Sequence, residues 1–201
     1  MFTTVSALLT RLPGLGDEQA WEVFDSRYTP MLRGFFSSFG VTGEPARDMA
    51  QDTIQKAIRG LRSGAYSRDK GRLRDWMGGI AKNVLRERWR KTRRRGGMVQ
   101  AKTVFWEACE DPTAKDAVQK VDRRFDEIWV RARLSALIRH ALSFFKHRDL
   151  RCYFLVEVHK IPIAEVAERL GMSVSAVYQR RRAVAEWFLA VGPRFISRWE
   201  K

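Results

Sequence analysis

Histidine and cysteine are scarce in this 201-residue chain, which has three of the first and two of the second. Cys109 and Cys152 stand far apart, with no Cys-x-x-Cys spacing and no histidine close by, so neither a zinc site nor a disulfide framework is expected. His140, His147 and His159 are scattered in the same way, and none is expected to be a ligand or a catalytic group. There is no Gly-rich phosphate loop and no nucleophile elbow. In residues 1–60 Asp48 and Asp52 form a helically spaced acidic pair, a pattern that suits a partner-binding face better than a metal-dependent nuclease. Long hydrophobic runs are missing too, and the segment Met1 to Leu12 lacks a basic n-region. These absences predict a cytoplasmic protein that is not an enzyme, holds no cofactor or metal and does not insert into a membrane.

Positive charge is what the chain has in excess: 38 Lys and Arg against 23 Asp and Glu, a formal net charge of +15. Such a surface favours polyanions. Hydrophobic residues make up 45% of the sequence, enough to build one or two packed cores, so this is not a disordered polycation. The charge is also concentrated, because residues 61–105 hold 14 basic side chains against 3 acidic ones.

Apolar residues recur at helical spacing through most of the chain, which predicts an all-α protein. A first helix is expected from Asp17 to Ser38, with Trp21, Phe24, Tyr28, Met31, Leu32 and Phe35 facing inward. A second runs from Pro45, which fits a first turn, to Gly60. After the loop Arg62 to Gly71, a long helix reaches Arg93 to Arg95 and is stopped by Gly96 and Gly97. Gly, Pro112, charge and the apolar island Val104 to Trp106 mark residues 96–115 as a linker. Two small helical domains follow, at residues 1–95 and 116–201, with Gly192-Pro193 expected to end the second.

At 3.6 residues per turn, Trp76, Met77, Ile80, Ala81 and Val84 fall on one side of the long helix and Lys82, Arg86, Arg90 and Arg93 on the other. One face can build a core while the other tracks a phosphate backbone. Asn83 lies at the edge of that stripe, where its amide can read a base, and Trp89 lies between stripe and core. Tyr66, among Ser63, Ser67, Arg68, Lys70 and Arg72, supplies an aromatic ring with small polar and cationic neighbours, the mixture that holds an unstacked base.

The segment Ile161 to Arg182 carries the pattern of a helix-turn-helix. Val166, Ala167 and Leu170 line one face of a short helix, Gly171 supplies the turn and Ser173 caps a second helix that ends in arginines. Ser175, Tyr178, Gln179 and Arg182 share the face opposite Val177, Val184 and Phe188 and are the base-edge candidates, with Arg180 a phosphate contact. Arg181 falls between Val177 and Phe188, so it must snorkel, find an acidic partner or reach DNA.

The order of these parts resembles the extracytoplasmic-function sigma factors of bacterial RNA polymerase, in a divergent subgroup. Asp48-Met-Ala-Gln-Asp-Thr-Ile54 is similar to that family's Gln-Asp motif on the helix gripping the polymerase clamp. Leu73-Arg-Asp-Trp-Met77 and Ile80-Ala-Lys-Asn83 resemble the segment that recognises the minus-ten promoter element. Ile163 to Gly171 with Val174-Ser-Ala-Val177 and Arg180 resembles the helix-turn-helix for the minus-thirty-five element. The resemblance implies a promoter-specificity subunit whose partners are promoter DNA and the clamp and flap regions of core polymerase, with an anti-sigma factor or other regulator as a further candidate. Asp48, Gln51 and Asp52 would contact polymerase, and Tyr66, Lys82, Asn83, Arg86, Trp89 and Arg90 the minus-ten region. The alternative is a helix-turn-helix regulator that binds an operator without docking on polymerase, which leaves the basic middle segment without a purpose.

Overall fold

The computed structural model describes residues 5–12, 17–94 and 115–200, and the linker 96–115 with its island Val104 to Trp106 lies almost wholly outside them. Among the described residues there are eight α-helices and no strand, as the apolar periodicity demands. They are α1 (Val5–Arg11), α2 (Glu18–Ser37), α3 (Gly43–Arg62), α4 (Leu73–Arg94), α5 (Lys115–Ala141), α6 (His147–Glu157), α7 (Ile163–Leu170) and α8 (Val174–Glu200). The chain divides into two compact units, essentially residues 1–132 and 133–199, so the division falls inside α5.

In the first unit α2 packs on α3, α3 on α4 and α1 on α2. Asp17 caps α2 by accepting from the Ala20 amide at 3.0 Å, and the Arg11 guanidinium pairs with the same carboxylate, which pulls its pKa below the ordinary range. Phe24, Tyr28, Leu32, Phe35 and Phe36 from α2 meet Met49, Ala50, Ala57, Met77, Ala81 and Leu85 from α3 and α4 in one core. The buried Thr53 hydroxyl donates to the Met49 carbonyl at 2.8 Å, so the core holds this polar group satisfied.

The N-terminal half of α5 belongs to this unit, although its apolar pattern reads from sequence as the start of the second domain. Val121, Phe125 and Trp129, spaced four residues apart, form a buried stripe. Phe125 meets Phe35 edge to face at 5.2 Å, and Trp129 stacks on Tyr28 at 5.5 Å.

The second unit buries Ala141, Leu150 and Val184 in one cluster and Val166, Ala167 and Val177 in another. His140 packs against the rings of Phe144, Trp187 and Phe195, and burial holds its imidazole below the ordinary range. Gly192 and Pro193 do not end the domain, because α8 continues through them to Glu200. The carbonyl that Pro193 leaves without a helical donor belongs to Leu189, a residue that is 77% exposed, while Phe195 is buried in the next turn.

Candidate nucleic-acid interface

Two surfaces collect the residues singled out from sequence, one in each unit. In the first, the buried side of α4 holds Met77, Ala81, Val84 and Leu85, as the helical wheel demands. Asn83 and Arg90 are exposed on the opposite side, and Arg86 donates to the Asn83 amide oxygen at 3.1 Å. That bond leaves the Asn83 amide nitrogen directed away from the arginine and able to donate to a base. Trp89 requires a correction, because it is 7% exposed and joins the core instead of the cationic stripe. It sits four residues after Leu85 and therefore shares that residue's inward face.

Lys82 lies at the border of the stripe and pairs with the Asp122 carboxylate of α5. Two turns earlier on α4, Arg74 Nε lies 3.4 Å from Asp126 Oδ1. Sequence reading missed both acids, yet an i, i+4 acidic pair beside the apolar stripe of a predicted helix is a visible signal.

The loop before α4 is built around Gly60. Its carbonyl accepts from the Ala65 amide at 2.8 Å, and its missing side chain makes room for Trp76. The Tyr66 ring lies 4.8 Å from that of Trp76, its hydroxyl donates to the Gly71 carbonyl at 3.3 Å, and burial raises the phenol pKa. Tyr66 is thus half-buried on a second ring, with one edge left toward solvent. A Cβ at Gly60 would stand 2.5 Å from the Trp76 ring, so Gly60→Ala is expected to destabilise the unit by about 1–2 kcal/mol, overpacking outweighing the better helix propensity. Thermal unfolding checks it.

On α3, Asp48 and Gln51 are exposed and Asp52 is half-exposed. Lys56 lies 3.4 Å from Asp52 Oδ2 and 2.7 Å from Glu87 Oε2, which ties this face to α4. Burial lowers the Lys56 pKa, but the two carboxylates outweigh it and leave the ammonium above the ordinary lysine range. Arg47 pairs at 3.8 Å with Glu44.

In the second unit, α7 and the start of α8 are joined by a short turn where the sequence predicts a helix-turn-helix. Gly171 turns the chain with φ 58°, a left-handed conformation that glycine adopts without cost, and the Ser173 hydroxyl accepts from the Ala176 amide at 3.2 Å. Arg148 on α6 donates to the Leu170 and Gly171 carbonyls at 2.6 and 3.0 Å, bracing the turn from outside. Sequence offered no sign of that brace, because the partners are backbone atoms.

Along α8, Ser175, Tyr178, Gln179 and Arg182 are exposed together. Arg182 pairs with Glu186 at 2.7 Å, a solvated i, i+4 contact that costs little to release. Arg180 is held by Asp149 of α6, whose side chain is only 14% exposed, and is therefore less available to phosphate than Arg182. Arg181 finds the acidic partner its position demands, with Nε 3.1 Å from Glu157 Oε1 and its guanidinium 5.9 Å from the Tyr178 ring centre.

Among the described residues there is no cluster of His, Cys, Asp or Glu able to hold a metal ion, and no helix long and apolar enough to cross a membrane. Residues 24–95 match the family model Sigma-70 region 2. The matched segment begins within α2 and runs through α3 and α4. No curated protein matches the chain.

Proposed function

We propose that this protein is an extracytoplasmic-function sigma factor of a divergent subgroup, a dissociable cytoplasmic subunit that directs core RNA polymerase to promoters and has no catalytic chemistry or cofactor of its own. The observation that carries the reading is the Sigma-70 region 2 match at residues 24–95, which ends on the basic face of α4. A helix-turn-helix in a separate unit adds a second DNA-facing surface.

Asp48, Gln51 and Asp52 contact the polymerase clamp, a role suited to exposed acids on a rigid helix. Tyr66, Asn83, Arg86 and Arg90 serve the minus-ten element: the arginines neutralise phosphates, Asn83 reads a base edge, and the ring pair of Tyr66 and Trp76 offers a platform for an unstacked base. Unstacking costs a few kcal/mol, which such a platform offsets. Ser175, Tyr178, Gln179 and Arg182 enter the major groove at the minus-thirty-five element.

Gel filtration with core RNA polymerase tests the reading. The expected result at low salt is co-elution of the chain with core, weakened by Asp48→Ala with Gln51→Ala. An operator-binding regulator would show no complex.

A further inference from the structure

Val121, Phe125 and Trp129 bury the inner stripe of α5. The fit there is close: a Cβ at Gly78 would stand 3.2 Å from the Phe125 ring, so α4 and α5 meet at a glycine contact. One position along from Val121 and Phe125, the acids Asp122 and Asp126 emerge at the border of that stripe. Their carboxylates land on Lys82 and on Arg74, which also holds Asp75 of its own helix at 3.2 Å; both cations belong to the helix that carries Asn83, Arg86 and Arg90.

We propose that the N-terminal half of α5 is an intrachain mask, in which Asp122 and Asp126 occupy the positions of DNA phosphates on Lys82 and Arg74 and lower the affinity of the free protein for DNA. The inference deepens the sigma-factor reading and rests on it. A carboxylate on a lysine offers the same charge-assisted contact as a phosphate oxygen. DNA must therefore displace the acids before Lys82 can release counterions from the backbone. Asn83 and Arg90 stay exposed, so the mask covers one border of the surface and leaves the rest open to a first encounter. Both acids are about half exposed, at 49% and 48%, which lets water and salt weaken the pairs and keeps the mask reversible. Docking on polymerase, or high local DNA concentration, is then what shifts the balance toward the open surface.

The test uses the full chain and fluorescently labelled DNA of mixed sequence, single-stranded and duplex, with no polymerase present. Asp122→Asn with Asp126→Asn is expected to bind about fivefold tighter than wild type at low salt, the advantage fading as salt rises. Glu18→Gln with Glu22→Gln changes the net charge equally, on exposed positions of α2, and should gain less than twofold. Asp122→Glu with Asp126→Glu should restore the wild-type affinity, which excludes a gain from loosened packing. Each preparation is also tested for co-elution with core polymerase. A chain that forms that complex, but whose asparagine variant binds DNA no tighter than the charge-matched control, keeps the sigma reading and overturns the mask. A chain that forms no complex overturns the reading, and the mask with it.

Discussion

Trp129→Ala is expected to destabilise the first unit by about 3–5 kcal/mol, the usual cost of emptying a large aromatic site. The indole is 1% exposed, stacks on Tyr28 at 5.5 Å and lies 6.0 Å from the Phe125 ring. Its loss would leave a cavity walled by rings that cannot collapse into it. Against a typical total of about 5–15 kcal/mol, that is a large share of the stability of a small domain. Urea denaturation followed by circular dichroism measures it. A change under about 1 kcal/mol would mean that the N-terminal half of α5 is a loosely held appendage instead of part of the core.

Gln179→Ala and Arg182→Ala are each expected to weaken binding to the upstream promoter element by about 1–3 kcal/mol while leaving thermal stability nearly unchanged. Both side chains are exposed, and the pair that Arg182 makes with Glu186 lies on one helix face in solvent. Arg180→Ala and Arg181→Ala should behave in the opposite way. Their partners Asp149 and Glu157 sit on α6, so these substitutions remove struts that hold α8 against α6 and lower stability first. Binding titrations against a panel of single-base changes, paired with melting curves, separate the two classes. A loss from Gln179→Ala that is uniform across all sequences would reassign that residue from a base to the backbone.

Helices α2 to α4, α7 and the start of α8 are legible in the sequence because their apolar residues keep one phase and because Pro45, Gly171 and Ser173 mark the ends. The bounds differ by only a few residues: the first long helix runs Glu18–Ser37 where the pattern predicts Asp17 to Ser38. Helix α1 is not legible, since it has only seven residues and its anchors Leu8 and Leu12 gain their burial from tertiary contact. Periodicity shows that Val121, Phe125 and Trp129 form a stripe but not what the stripe covers, so half of α5 reads as part of the second domain. Pro193 misleads in another way, because α8 continues through it to Glu200 with Leu189, one turn earlier, on the exposed face.

For the candidate interface, the same phase argument finds Asn83, Arg86, Arg90 and the exposed face of α8. It places Trp89 between stripe and core, whereas the structure buries it, because the true inward arc of α4 extends through Leu85. The pairing of Lys82 with Asp122 joins residues 40 apart in sequence and follows only from the docking of α5. Arg180 presents the same difficulty: its spacing suits a phosphate, and only the fold brings Asp149 to it.

Transcription of fragmented genomic DNA from the source cell by core RNA polymerase, with and without this chain, tests the central claim most directly. Sequencing of the transcript 5′ ends locates the start sites without choosing a promoter in advance. The expected result is a new set of start sites, each preceded by the same two short elements at one fixed spacing, and its loss with Asn83→Ala. Transcripts identical to those of core polymerase alone would contradict the account.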